Sequence, residues 1–218
     1  MTIAPNAEAQ SKCNVCNLQF DADILVKVMQ DDTCPQCQAK ERQRAIQWAM
    51  DQGLDQRLNI RSKEILACHL IRSERIIFRD AKRVVNFDVR PLPGLDIVMD
   101  IQEMHPIVDE KFDAVIAIAI FQHVKDDRKA LKEVRRILRP GGVLFAHVGL
   151  TEGQTIKWED ESQHYGRENL KLYGVGTYRK YGYDDFNALL GEFFSPEVIP
   201  AIDPVTGRKD YVFLGWKR

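Results

Sequence analysis

Two periods of apolar and polar positions alternate along the chain. Ala114 to Phe121 is almost unbroken apolar, the length of a strand covered on both faces. Beyond Asp126 and Asp127, either of which can cap a helix, Ala130, Leu131, Val134, Ile137 and Leu138 recur at helical spacing. Pro140-Gly141-Gly142 is predicted to stop that helix, because proline cannot continue it and glycine takes the left-handed turn. Val143 to Val148 is apolar again. A strand, helix, strand unit of this size predicts a parallel sheet with a right-handed crossover. Ligands of such sheets bind beyond the carboxyl ends of the strands. Upstream, Glu64 to Cys68, Val84 to Asp88 and Leu95 to Met99 read as three further strands, with a helix from Ser73 to Ala81 between the first two. Downstream, Tyr183 to Phe193 reads as a helix with Phe186, Leu189, Leu190 and Phe193 facing inward. Glu197 to Ile202 and Tyr211 to Trp216 then form a hairpin across the turn signal Asp203-Pro-Val-Thr-Gly207.

The first sixty residues follow a different pattern. Residues up to Lys12 are small and polar, and are expected to be a disordered tail. Cys13-Asn-Val-Cys16 and Cys34-Pro-Gln-Cys37 follow as two CxxC knuckles. Each knuckle sets two thiolates on one side of a tight turn, and two knuckles complete a tetrahedron around zinc. Ile24, Val26 and Val28 alternate with other residues as in a short strand, so residues 13–52 are expected to form a zinc ribbon plus helix. A closed site of four cysteines leaves no open position for substrate, which makes the metal structural. Four free thiols, or one redox pair, are the alternatives from spacing alone. Ala39 to Gln52 is the predicted helix, with Ala45, Ile46, Ala49 and Met50 inward. Lys40, Arg42 and Arg44 make its start basic, which reads as a solvated face or as a contact for an anionic ligand or RNA. Gly53 to Arg61 is a link to the main domain, residues 60–218.

Composition narrows this picture. A chain of 218 residues holds one full α/β domain plus a small appendage. A formal net charge of −1 supplies no global field toward nucleic acid or membrane. No apolar run approaches a membrane span. The start MTIAPNAEAQ lacks a basic-then-apolar signal pattern, so a cytoplasmic location is expected. There, cysteines are thiols or metal ligands rather than disulfides.

FDAVIA, HVKDD and ALKEVRRILRPGG together resemble the centre of a class I S-adenosylmethionine-dependent methyltransferase. The two knuckles and basic helix joined directly to it are similar to a bacterial group of these enzymes that begins with a four-cysteine zinc-binding segment. The resemblance implies a Rossmann-like class I methyltransferase sheet, mostly parallel with a C-terminal antiparallel hairpin, and a small N-terminal zinc ribbon. It implies S-adenosylmethionine as methyl donor and structural zinc on Cys13, Cys16, Cys34 and Cys37. Ala67, Cys68 and His69 occupy the first turn, where most of the family has GxGxG; Ala67 to Glu74 contains no glycine. Asp88, followed by Val89, ends the second strand where a carboxylate accepts from both ribose hydroxyls. Asp100 takes the place of a residue that contacts the adenine amino group, and Ile101 that of one packing on the ring. Ala117 and Ile118 line the floor of the donor cleft. His123 falls near the methyl donor, or packs and caps the following helix.

Residues 151–183 lack clean periodicity and carry Trp158, His164, Tyr165, Tyr173, Tyr178, Tyr181 and Tyr183. Five of the six tyrosines lie here, so a regional role is expected: a substrate cap that excludes water, or rings that pin a long insertion. Trp158, Tyr165, Tyr173 and Tyr178 are the candidate substrate contacts. An oxygen or nitrogen acceptor of high pKa needs a base. His164 is the preferred candidate and His147, at the end of the fifth strand, is next. The expected acceptor is a small molecule, such as a natural-product intermediate or sugar. The alternatives are a ribosomal RNA methyltransferase with a zinc ribbon, or a non-catalytic methyltransferase-fold scaffold that uses the ribbon for protein contacts.

Overall fold

The computed structural model describes residues 12–158, 171–172 and 175–218. The predicted tail lies outside them except for Lys12. The chain divides into two compact units, one of Met1–Ser62, Leu70–Ala81 and Ile199–Val212, the other of Lys63–His69, Lys82–Val198 and Phe213–Arg218.

In the first unit the segment between the knuckles is a helix, α1 (Ala22–Asp31), and not the expected strand. Asp21 caps it, accepting from the Ile24 N–H at 2.8 Å. The apparent alternation misled because Ile24 and Val28 also stand four apart. Val28 is buried while Val26 between them is 52% exposed, as a helix requires and a half-buried strand forbids. The helix α2 (Glu41–Ala49) passes through a π-type turn at Met50–Leu54, where Gly53 takes φ +99°, into the short α3 (Asp55–Leu58). Ala45, Ile46, Ala49 and Met50 are buried, as the spacing predicts.

Arg44 departs from the expected solvated face, because its side chain is fully buried. Its Nε and one terminal nitrogen donate to the two oxygens of Asp203 at 2.9 and 2.8 Å. The same terminal nitrogen donates to Asp32 Oδ1 at 2.8 Å, and the other to the Ala39 carbonyl at 3.0 Å. Asp203 also accepts from the Val205 N–H and the Thr206 hydroxyl, at 3.1 and 2.8 Å, and so shapes the hairpin turn. The short helix α4 (Arg72–Ile77) is held by Glu74, which accepts from the Ile71 N–H at 3.1 Å and from Gln43 at 2.8 Å.

The second unit carries most of a seven-stranded sheet. Its strands are β1 (Glu64–Cys68), β2 (Arg83–Asp88), β3 (Ile97–Val98), β4 (Phe112–Ile118), β5 (Leu138–His147), β9 (Ser195–Ile202) and β10 (Lys209–Trp216), in the order β3-β2-β1-β4-β5-β10-β9. The pairs β1/β2, β1/β4, β2/β3 and β4/β5 are parallel, and β10 runs antiparallel to β5. The order reverses between β1 and β4, which opens a crevice at their carboxyl ends. The helix α5 (Asp127–Ile137) buries Ala130, Leu131, Val134 and Ile137 completely. Each of the larger three contributes about 1.5–3 kcal/mol. Asp126 caps α5, accepting from the Lys129 N–H at 2.9 Å.

That helix ends at Ile137, three residues before Pro140. Pro140-Gly141-Gly142 instead forms an irregularity inside β5, with a register shift against β4 between Phe112 and Ala114. Gly141 has φ +73°, and a Cβ on Gly142 would stand 2.8 Å from the Arg139 carbonyl oxygen.

A second, three-stranded sheet follows β5: β6 (Leu150–Thr151), β7 (Ile156–Lys157) and β8 (Arg179–Gly182), ordered β6-β8-β7. The helix α6 (Tyr183–Gly191) comes next and seats Phe186 among rings. Phe186 lies 4.7 Å from Tyr181, 5.0 Å from Phe213 and 5.9 Å from Phe121, centroid to centroid.

Candidate functional site

The topological switch gathers the predicted donor-site residues along one edge. β1 brings Ala67 and Cys68, β2 brings Asp88, and β4 brings Ala117 and Ile118, all buried. His69 follows β1, Val89 follows β2, and Asp100 and Ile101 stand just past β3. Two of the turns there are made by residues with a Cβ in the left-handed region. His69 has φ +45° after β1, and Ala119 has φ +55° after β4. Such conformations cost a non-glycine residue about 1–2 kcal/mol. Each is pinned from a neighbouring strand: the His69 N–H donates to the Phe87 carbonyl and the Ala119 N–H to the His147 carbonyl, both at 2.8 Å.

Asp88 is the most constrained group on this edge, its side chain 7% exposed. Arg90 grips it with Nε to Oδ1 at 2.9 Å and a terminal nitrogen to Oδ2 at 2.8 Å. The Arg90 backbone N–H donates to Oδ1 at 2.8 Å, and His69 Nδ1 lies 3.6 Å from Oδ2. Burial alone would raise the Asp88 pKa, but the hydrogen bonds and charge of Arg90, helped by His69, hold it below the ordinary aspartate value. By sequence, Arg90 only opens the loop Arg90-Pro-Leu-Pro-Gly94. The signal was the Asp-Val-Arg spacing, which puts a guanidinium within reach of a carboxylate at a strand end.

Asp100 accepts from the Gln102 backbone at 2.8 Å and from its side-chain nitrogen at 2.9 and 3.1 Å. Gln102 Oε1 in turn accepts from the Asp126 N–H at 2.8 Å, which joins this loop to the start of α5. His123 lies on a 3-10 turn (Phe121–His123) after β4, and its Nδ1 is 2.8 Å from the Gly176 carbonyl oxygen. That contact fastens the return of the 151–183 segment. His147, at the end of β5, is buried.

Of the aromatic candidates, Trp158 and Tyr178 are half-buried and adjacent, with the Trp158 N–H donating to the Tyr178 carbonyl at 2.9 Å. The Tyr178 N–H donates to the Gln122 carbonyl at 2.9 Å. Arg179, which the sequence did not single out, completes this anchorage. Buried, it donates to the Val124 and Lys125 carbonyls at 2.8 and 2.7 Å and pairs with Asp127 at 3.2 Å. Burial, chiefly, and the neighbouring Asp127 push the Tyr181 hydroxyl well above the usual phenol range. His164, Tyr165 and Tyr173 lie outside the described residues.

In the first unit the sulfurs of Cys13, Cys16, Cys34 and Cys37 all lie within 4.8 Å of one another. The Cys13–Cys37 and Cys16–Cys34 distances are 3.7 and 3.8 Å. A disulfide needs about 2.05 Å. A tetrahedron with Zn–S of about 2.3 Å has edges of about 3.8 Å, so the spacing fits a tetrathiolate metal site. The hydrogen bond with Cys37 lowers the pKa of the Cys13 thiol.

A parallel sheet with an antiparallel end, open at the switch point, is the Rossmann-like α/β fold of class I S-adenosylmethionine-dependent methyltransferases. The family described as "Methyltransferase domain" matches residues 77–146. A human thiol S-methyltransferase is 37% identical over 65 residues, 30% of this chain and 22% of that protein. A Mycobacterium ulcerans phthiotriol/phenolphthiotriol dimycocerosates methyltransferase is 37% identical over 68 residues, 31% and 25% of the two chains. The chain thus spans about a quarter of the length of these curated relatives. Among solved structures, the Burkholderia thailandensis 1,6-didemethyltoxoflavin-N1-methyltransferase with bound 1,6-didemethyltoxoflavin and S-adenosylhomocysteine superposes with TM-score 0.60. It is 16% identical, and the match covers 90% of this chain and 86% of that one.

Proposed function

We propose that the chain transfers the methyl group of S-adenosylmethionine to an oxygen or nitrogen of a small-molecule acceptor. The observation that carries this reading is Asp88 at the switch point of the sheet, within the segment that matches methyltransferase domains. When bound, the donor supplies an activated methyl group on a sulfonium, so the protein's task is alignment and exclusion of water. Asp88 takes the ribose, Val89, Asp100 and Ile101 the adenine side, and Ala67, Cys68, His69, Ala117, Ile118 and His123 the remaining wall. Residues 151–183 cap the acceptor through Trp158, Tyr165, Tyr173 and Tyr178, with His164 as base and His147 as its alternate. The names of the relatives support a small acceptor: a thiol, phthiotriol or phenolphthiotriol dimycocerosates, and 1,6-didemethyltoxoflavin. Zinc on Cys13, Cys16, Cys34 and Cys37 is structural, and its fit to the sulfur spacing supports it. The RNA reading loses support because Arg44 of the basic helix start is spent on an internal carboxylate. Among the described residues no helix is long and apolar enough to cross a membrane.

Calorimetry with S-adenosylmethionine and S-adenosylhomocysteine tests the proposal. Both should bind, and Asp88→Ala should abolish binding with the circular dichroism unchanged. Failure of both ligands to bind zinc-loaded, folded protein would replace the enzyme with a scaffold. A His164→Ala variant with intact donor affinity and unchanged turnover removes that histidine from the mechanism.

A further inference from the structure

The Asp88 carboxylate already has a partner on the edge that a ribose would use. Arg90 Nε and one terminal nitrogen form a two-bond fork to Oδ1 and Oδ2 at 2.9 and 2.8 Å. The Arg90 backbone N–H reaches Oδ1 separately at 2.8 Å. Each carboxylate oxygen accepts about two hydrogen bonds. Oδ1 is therefore saturated, and the remaining acceptor position on Oδ2 has His69 Nδ1 nearby at 3.6 Å. A vicinal diol offers two O–H donors at nearly the spacing of the guanidinium fork, so diol and fork require the same pair of acceptor positions.

We propose that the Arg90 side chain is a built-in competitor for the ribose diol and sets the donor affinity of the site. This rests on Asp88 as the ribose carboxylate. The backbone and side chain of Arg90 divide the work. Its N–H fixes the carboxylate rotamer and stays in place whether or not a nucleoside is bound. Its guanidinium leaves when the diol arrives. The side chain is 27% exposed against 7% for Asp88, so the departing group moves toward water while the carboxylate stays buried. Buried charge without a partner is costly. The fork therefore keeps Asp88 compensated in the unliganded protein, and the hydroxyls replace it only in the complex.

Calorimetric titration with S-adenosylhomocysteine reads this directly. Arg90→Ala should bind roughly fivefold more tightly than the unaltered chain, the worth of a partly solvated charge-assisted pair that no longer has to be broken. Arg90→Lys, with a charge but no fork, should show a smaller gain and serves if the alanine variant does not fold. The gain should shrink for the 2′-deoxy analogue, which claims only one acceptor position. Unchanged or weaker binding by folded Arg90→Ala, with binding lost in Asp88→Asn, overturns the role of Arg90 and leaves the donor site standing. Full binding by Asp88→Asn, or none by any variant, removes the ribose carboxylate itself and the competitor with it.

Discussion

Removing the carboxylate of Asp203 should destabilise the first unit far more than an average substitution. Both Arg44 and Asp203 are at 0% exposure. The guanidinium uses its five N–H donors on Asp203, Asp32 and two carbonyls, and two of those bonds end on Asp203. Asp203→Ala leaves them without acceptors. Arginine cannot shed its proton to escape. The carboxylate that stays bonded to Arg44, Asp32, has a side chain 36% exposed and is therefore partly screened by water. Breaking a buried pair from one side costs about 3–5 kcal/mol. For a chain of this length that corresponds to a melting temperature lower by roughly 6–20 °C.

Asp203→Asn separates charge from shape. The amide retains an oxygen for the Val205 N–H and Arg44 Nε, so the hairpin turn keeps its acceptor, but its NH2 faces the Arg44 terminal nitrogen and that charge-assisted bond is lost. Its cost should be about 1.5–3 kcal/mol, the worth of a hydrogen bond to a charged group. Differential scanning calorimetry gives the shifts. Hydrogen exchange locates them, with faster exchange expected at α2 and at residues 199–212. A loss below about 1 kcal/mol for Asp203→Ala, or equal losses for the two variants, would refute the argument from a buried, fully bonded guanidinium.

Two further outcomes follow from the same structure. A zinc chelator under reducing conditions should collapse exchange protection in α1 and α2, as should Cys34→Ser, because a tetrathiolate metal site contributes its binding energy to folding; unchanged protection in a sample shown to be metal-free would exclude a structural metal. Asp88 has a folded pKa below its ordinary value of about 3.9, so its contribution is complete above about pH 4 and is lost as pH falls through the folded pKa. Urea midpoints of the unaltered chain and Asp88→Asn should therefore converge below about pH 4, and curves that stay parallel would show that the fork carries no stability.

The frame of the sheet was legible because β4, α5 and β5 announce themselves by period and by burial on both faces. The first and second strands came through for the same reason. Errors arose where a local signal has two readings. Ile24, Val26 and Val28 satisfy an alternating pattern, but the Asp21 cap and the Ile24–Val28 spacing serve a helix equally well. Pro140-Gly141-Gly142 is a stop signal for a helix and also the recipe for an irregular strand, and here α5 had already ended at Ile137. Arg44 could not be read as buried, since its partner stands 159 residues away. No window on the sequence joins a basic helix to a hairpin turn. Arg90 was nearer to hand, two residues from Asp88, yet loop arginines are solvated far more often than they fork onto a carboxylate. Arg179 was hidden because its acceptors are backbone carbonyls, which leave no mark on residue identity.

The glycine-free first turn is where sequence and structure bear most directly on each other. Glycine serves such a turn in two separable ways: it takes a positive φ without strain, and it lets another backbone or a ligand come close. His69 keeps the first at φ +45°, at a cost that the Phe87 hydrogen bond helps to hold, and gives up the second. Ala119 does the same at the end of β4. Both strand ends therefore take the left-handed backbone with a side chain present. His69 and Ala119 each carry a Cβ at a position where glycine would leave the main chain bare. Positive φ at two points of one edge, each locked by a bond from the adjacent strand, persists because the surrounding sheet over-determines the turn. The turn that lacks the expected glycines thus keeps a positive φ by another route, a hydrogen bond from the neighbouring strand in place of a missing Cβ.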